Sequence, residues 1–260
     1  MNVYTAKNLS YKAGEKLILD NLNFTIEKGK SYALIGCNGS GKTTLMKILA
    51  GVELNFEGDL YFFDKKFDKS TFEKLFKEGF YKKVGYMFQD TDLQLFNLNV
   101  FDEIAFGPRQ YIADEKEIEK RVFEIAKLFG IENLLQSDIL VLSGGEKKKV
   151  ALASILVNNP DILILDEPTN DLDPKSIRFI AKILSELKNA GKTIILSTHH
   201  FDVLLLLADF TIVVSSDHKI LKIGKTEEIL KDKELLVEAN VIDSEFELFK
   251  NLFKGSEVSP

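Results

Sequence analysis

The chain carries one cysteine, Cys37, among its 260 residues. An internal disulfide framework is therefore excluded, and this usage fits a reducing cytosol. Long hydrophobic runs are also missing. The longest, Val203 to Ala208, falls far short of the roughly 20 apolar residues that span a bilayer. The opening Met1-Asn2-Val3-Tyr4 lacks a basic-then-apolar signal pattern. There is no basic excess either: 34 Lys and Arg stand against 40 Asp and Glu, a net charge of −6. No overall field attracts a phosphodiester backbone, so no nucleic-acid partner is expected. Internal repeats, low-complexity segments and sustained heptads are absent as well. What is present, 45% apolar and 28% charged residues, is the composition of an ordinary globular protein with a sizeable core. A role at a membrane would require docking onto something that spans it.

Short strands are expected over Val3 to Ser10 and Leu17 to Ile26, separated by a hairpin-like Lys12-Ala13-Gly14-Glu15 turn. Ser31 to Ile35 reads as an apolar strand entering a glycine loop, and Lys42 to Ala50 as the helix leaving it, stopped near Gly51. Gly58 to Phe63 and Val84 to Phe88 read as strands around a helical excursion from Glu73 to Phe80. From Asp90 to about Asn159 the character becomes helical. Ile118, Val122, Ile125, Ala126 and Phe129 recur at helical spacing before Gly130, with further helices expected over Ile131 to Leu135 and Glu146 to Leu156. Ile162 to Leu165 is apolar on both faces, as a strand covered by helices on each side must be. Asp173-Pro174 caps a helix closed by Gly191, and strands follow at Thr193 to Leu196, Thr211 to Val214 and Ile220 to Ile223. The expected class is α/β, with a mostly parallel sheet, an amino-terminal antiparallel β-subdomain and an inserted helical subdomain over about 90–159. The main domain is expected over 1–225, with a charged helical extension over 226–260.

Gly36-Cys37-Asn38-Gly39-Ser40-Gly41-Lys42-Thr43 satisfies the phosphate-loop pattern. Its glycines let backbone N–H groups turn toward a phosphate, Lys42 supplies a point charge, and Thr43 offers a hydroxyl to Mg²⁺. Cys37 reads as a small residue at a variable loop position. Leu165-Asp166-Glu167-Pro168 ends the buried strand with two carboxylates at its carboxyl end, where open α/β sheets place ligands. Adjacent residues there point in different directions, so Asp166 can reach a metal shell while Glu167 addresses an attacking water. The run Lys147-Lys148-Lys149 reads as a solvated helix face.

With these motifs in order, the chain resembles the ATP-binding-cassette ATPases over nearly its whole length. Leu142-Ser143-Gly144-Gly145-Glu146 looks like the family signature, Gln89 like its Q-loop, Asn170 to Asp173 like its D-loop, and His199 like its switch histidine. Tyr11 looks like the aromatic that stacks on adenine. The resemblance implies a P-loop NTPase core that binds ATP and Mg²⁺. Gly36, Asn38, Gly39, Ser40, Gly41, Lys42, Thr43 and Thr44 would hold the nucleotide. Thr43, Gln89 and Asp166 would hold the metal, Glu167 would activate water, and His199 would contact the γ-phosphate. It further implies that Ser143, Gly144 and Gly145, at the amino terminus of a helix, face the γ-phosphate of a second ATPase subunit. That subunit would be an identical copy or a paralogue.

Phe88 to Phe96 and Asp102 to Pro108 resemble the cobalt/nickel-type energy-coupling-factor branch, as does the tail over Glu227 to Asn240. This implies an importer subunit on the cytoplasmic face of the cell membrane. Residues around Gln94 would receive a transmembrane coupling subunit, and a substrate-binding membrane subunit would complete the complex. The same motifs leave open a vitamin importer of this branch, another transporter cassette and, with less support from a single cassette without sustained heptads, a non-transport cassette. Four positions depart from the family pattern: Glu146 for glutamine, Lys149 for arginine, Asp171 for a small residue and His200 for aspartate. None removes a catalytic group. Glu167→Gln is expected to keep ATP binding, abolish turnover and trap a dimer, as read by nucleotide binding, phosphate release and light scattering. Normal hydrolysis, or an ATP-loaded monomer, contradicts the shared-site reading.

Overall fold

A computed structural model describes residues 1–242. The expected extension over 226–260 therefore lies partly outside the described residues. β1 (Asn2–Ala13) and β2 (Lys16–Glu27) form an antiparallel pair that is longer than the sequence pattern suggests. β3 (Ser31–Ile35) leads into the glycine loop and α1 (Lys42–Leu49). β4 (Glu57–Phe62) and β5 (Lys65–Lys66) complete a first sheet in the order β2-β1-β4-β5.

The excursion expected over 73–80 is two helices, α2 (Lys69–Lys77) and α3 (Phe80–Lys83), parted by Gly79 at φ +85. α2 starts early because Asp68 and Thr71 form a capping box that satisfies its first N–H groups. β6 (Val84–Met87) returns to the core.

A helical layer follows, with α4 (Val100–Arg109), α5 (Glu115–Phe129) and α6 (Gly144–Leu156). The helix expected over Ile131 to Leu135 is only a 3-10 turn at Glu132–Leu134. The chain then alternates through β7 (Ile162–Asp166), α7 (Pro174–Asn189), β8 (Thr193–Ser197), α8 (Phe201–Leu207) and β9 (Phe210–Val214). It continues through β10 (Ile220–Lys225), α9 (Thr226–Lys231) and α10 (Lys233–Glu238).

The second sheet has the order β10-β9-β3-β8-β7-β6. Its strands pair in parallel except at β10, which returns antiparallel along β9. β3, β7 and β8 are buried at every residue, which fits strands covered on both faces. β7 divides two cores by alternation. Leu163 and Leu165 join the helical layer with Ile104, Val122 and Leu152. Ile162 and Ile164 join Leu45, Ile48, Tyr4 and Phe62 beneath the first sheet. This brings the carboxyl ends of β3, β8, β7 and β6 side by side, and each runs into a loop that carries a predicted site residue.

Ile164 is 0% exposed, so Ile164→Ala is expected to cost about 2–5 kcal/mol in urea unfolding. Leu98→Ala, at an 84% exposed position, should stay within about 0.5 kcal/mol.

Candidate functional site

The glycine loop is pinched between two strands. Gly36 has φ +152, and a Cβ there would lie 2.2 Å from the Val214 carbonyl oxygen. Gly41 has φ +105, and its Cβ would lie 2.5 Å from the Ile18 carbonyl oxygen. Only glycine fits either place. Within the loop, Lys42 Nζ donates to the carbonyl oxygens of Gly36 at 2.8 Å and Cys37 at 2.9 Å. Gly41 supplies no side-chain cap to α1, and the first turn of that helix holds no acidic residue. Its leading N–H groups therefore point into the cleft without an internal partner, which suits an anion.

Asn38, Gly39, Gly41, Lys42, Thr43, Thr44, Gln89, Asp166, Glu167 and His199 line one cleft of about 590 Å³. Ten predicted positions from four strand ends thus meet. Gly36 shapes the loop from beneath, and Ser40 is fully buried. Tyr11 does not line the cleft. Its hydroxyl donates to Glu53 at 3.0 Å, and its ring packs against the core under the first sheet. Lys16 and Ile18 of β2 line the cleft instead, and no motif marked them.

Asp166 ends β7 and is 1% exposed. Its Oδ1 accepts from the Ser197 hydroxyl at 2.7 Å, and that hydroxyl accepts from the Glu167 N–H at 2.9 Å. Asp166 Oδ2 is buried without a partner. A buried carboxylate oxygen left unpaired is costly. A hard cation beside it, also met by the Thr43 hydroxyl and the Gln89 amide oxygen, would remove that cost. The donor set therefore fits Mg²⁺. Ser197 escaped the sequence reading, although its register opposite Asp166 follows once β7 and β8 are paired.

Glu167 adopts φ +48 and is nearly buried. Burial raises its pKa above the ordinary carboxyl value, Lys42 opposes the rise, and Asp166 adds to it. His199 Nε2 lies 3.1 Å from Glu167 Oε1. Burial, Lys42 and His200 hold that imidazole below its usual pKa. That direction favours a neutral imidazole over an ion pair at this contact.

The signature is built on a capping box. The Ser143 hydroxyl donates to Glu146 Oε2 at 2.6 Å, and the Ser143 N–H reaches the same oxygen at 2.9 Å. Ser143, Gly144 and Gly145 do not line the phosphate cleft. Gly144 borders a neighbouring cavity of about 400 Å³ shared with Thr43 and Gln89. The lysine run is not a solvated face. Lys147 pairs with Asp92 at 2.6 Å, Lys149 lies over the Phe179 ring at 5.3 Å, and Lys148 is buried.

A glycine loop opening a helix, a lysine within it and two carboxylates at the end of β7, a parallel strand one place removed from β3, define a phosphate-loop nucleotide triphosphatase. The family profile described as ABC transporter matches residues 19–170, and the chain belongs to that family. It is an ATPase, the ATP-binding subunit of an ABC transporter. A relative from Caldanaerobacter subterraneus subsp. tengcongensis, provisionally named an ABC transporter ATP-binding protein, is 46% identical and covers 92% of this chain and 99% of its own. The energy-coupling factor transporter ATP-binding protein EcfA of Methanocaldococcus jannaschii is 37% identical, covering 93% of this chain and 85% of its own. The nickel import ATP-binding protein NikO of Rhodobacter capsulatus is 37% identical, covering 86% and 89%. Among solved structures, CbiO1 of Clostridium perfringens, part of the ABC transporter complex CbiONQ, superposes with a TM-score of 0.75 at 34% identity, covering 92% and 95%. A dimeric ATP-binding cassette bound to ADP and Pi superposes with a TM-score of 0.77 at 29% identity, covering 86% and 98%.

The raised Glu167 pKa has a stability consequence. Above that pKa the folded protein holds an ionised group where charge is disfavoured, so a neutral isostere stabilises the fold at high pH and not at low pH. Glu167→Gln is expected to melt above wild type at pH 8. The gap should close as pH falls toward 4.5, the ordinary value for this group, with thermal melts across pH as the check.

Proposed function

We propose that this chain energises an importer of the energy-coupling-factor type that carries cobalt or nickel ions, working as a dimer with an identical or paralogous ATPase. It would sit at the cytoplasmic face of the membrane on a transmembrane coupling subunit, beside a substrate-binding membrane subunit. The supporting relatives are EcfA and NikO. Among the described residues no helix is long and apolar enough to cross a membrane.

The observation that carries the reading is an apolar knuckle beside the Q-loop. Phe96 is 65% exposed and stacks edge-on against the exposed Phe106 at 4.9 Å, next to exposed Leu93 and Leu98. Large apolar groups gathered on a surface mark a partner site. The knuckle is held in place. The carboxylate of buried Glu103 accepts from the N–H groups of Phe96 at 3.0 Å and Asn97 at 2.9 Å, and from Asn97 Nδ2 at 3.0 Å. Leu95 and Phe101 pack inward. Gln94 also turns inward, joining the Phe88 N–H to the Ala151 carbonyl of α6.

In the catalytic cycle, Lys42 and the N–H groups at the start of α1 bind the phosphates. Thr43, Gln89 and Asp166 would hold Mg²⁺, which when bound offsets charge on the β- and γ-phosphate oxygens. Glu167, made more basic by burial, orients the attacking water and takes its proton. The neutral His199 donates toward Glu167 and the γ-phosphate side of the cleft. The signature tip of the second subunit closes over the nucleotide, because a helix amino terminus with free N–H groups attracts an anion.

Phe96→Asp with Phe106→Asp is expected to leave the ATPase rate of the isolated chain within about twofold, since neither side chain lines the cleft. In cells carrying the whole transporter it should lower uptake of radioactive Co²⁺ or Ni²⁺ more than about tenfold. Undiminished uptake by the variant removes the knuckle as the docking site. A wild-type transporter that moves neither ion removes the assigned cargo.

A further inference from the structure

We infer that Lys148 is a positioning residue for ATP hydrolysis: from α6 it grips the backbone on the far side of Glu167 and so fixes where the Glu167 carboxylate points. The side chain is only 6% exposed, a burial that an ammonium group tolerates only when acceptors surround it. Its Nζ donates to the carbonyl oxygen of Glu167 at 3.0 Å and to that of Asn170 at 2.6 Å. These carbonyls belong to one tight turn, because the Asn170 N–H donates to the Glu167 carbonyl at 3.2 Å.

The turn is bracketed by two non-glycine residues in the left-handed region, Glu167 at φ +48 and Asp171 at φ +59. Such conformations persist only where the surroundings over-determine them. At Glu167 the constraint comes from both sides. Its N–H is fixed from β8 by the Ser197 hydroxyl at 2.9 Å, and its carbonyl is fixed from α6 by Lys148. Without the lysine, the peptide after Glu167 loses a charged donor and the backbone is free to relax toward an unstrained φ. That rotation carries the Cβ, and with it the carboxylate, away from its present place. A displacement of about 1 Å at a reacting centre costs on the order of a hundredfold in rate.

Lys148 also lies about one helical turn beyond Gly144 on the same helix. The lysine therefore makes the location of the signature tip and the aim of Glu167 a single rigid relation. A methionine of similar length would keep the packing and lose that relation.

The inference rests on the reading of Glu167 as the group that orients water, so Glu167→Gln is measured in parallel. Steady-state ATP hydrolysis by the full chain is expressed per ATP-binding site, counted with labelled nucleotide, so that misfolded protein does not enter the rate. Lys148→Met is expected to lower kcat about 10–100-fold with KM for ATP within about threefold. Lys148→Arg, which keeps charged donors, should recover at least half of that loss on a logarithmic scale. An unchanged kcat in Lys148→Met, a KM that rises in step with the fall in kcat, or an arginine variant no better than methionine overturns the inference. A Glu167→Gln protein that hydrolyses ATP normally removes the reading of Glu167 itself. An inactive Glu167→Gln beside a normal Lys148→Met removes only the role of Lys148.

Discussion

The Ser197 hydroxyl is the contact on which the geometry of the cleft depends. It sits at the end of β8, in parallel register with Asp166 at the end of β7, and makes two bonds of opposite sense. It donates to Asp166 Oδ1 at 2.7 Å and accepts from the Glu167 N–H at 2.9 Å. One oxygen atom thereby orients the first carboxylate and fixes the peptide that carries the second. Because Oδ1 is satisfied from within the sheet, the unpartnered Oδ2 is the oxygen left for a ligand. Alanine at this position would leave a buried carboxylate oxygen and a buried N–H without partners, and each such loss costs on the order of 1–3 kcal/mol.

Charge in this region is balanced between groups that are all withdrawn from water. Lys42 and Lys148 stand against Asp166 and Glu167, and all four are less than 9% exposed. Burial lowers the pKa of each lysine and raises that of Glu167, while their mutual attraction opposes both shifts. The two cations do different things. Lys42 turns back on its own loop, folding the glycine turn around its ammonium group. Lys148 reaches out of α6 to a turn belonging to another layer. Because each lysine already has acceptors, the charge pairs do not collapse onto one another, and the carboxylates stay open toward the cleft.

The phosphate loop and the acidic pair were legible in the sequence because their chemistry restricts residue type at every step. The steric contacts at Gly36 and Gly41 give the physical reason. The all-buried strands β3, β7 and β8 were legible because being covered on both faces leaves an unbroken apolar run. α4 was not singled out within the stretch expected to be helical, and its Pro108 falls in the last turn, where the helix is already ending. The lysine run was misread for a related reason. Three like charges in a row suggest water, but successive residues on a helix point about 100° apart, so each lysine met a different neighbour. Tyr11 was placed by family likeness alone. In the structure its hydroxyl donates to Glu53, and its partly buried ring packs against the core beneath the first sheet. Ser197, Lys16 and Ile18 belong to no local pattern, and become visible only when distant strands are laid side by side.

The helical layer is attached to the core in two physically different ways. Its apolar side is continuous with β7 through Leu163 and Leu165, packed with Ile104, Val122 and Leu152. Such packing is dense but without direction, and it fixes that the layer is present more firmly than where its edge lies. Near the nucleotide cleft the layer is instead separated from the core by a cavity of about 400 Å³. There a few directional polar contacts define its position: Lys147 to Asp92, Gln94 to Ala151, and Lys148 to Glu167 and Asn170. All three lead from α6, the helix whose first turn is the signature, into segments that follow β6 or β7. A displacement of the signature tip is therefore felt at these contacts as well as in the apolar core, which Leu142 and Val150 join directly. Of the three, only the one made by Lys148 ends on the backbone of the catalytic cleft.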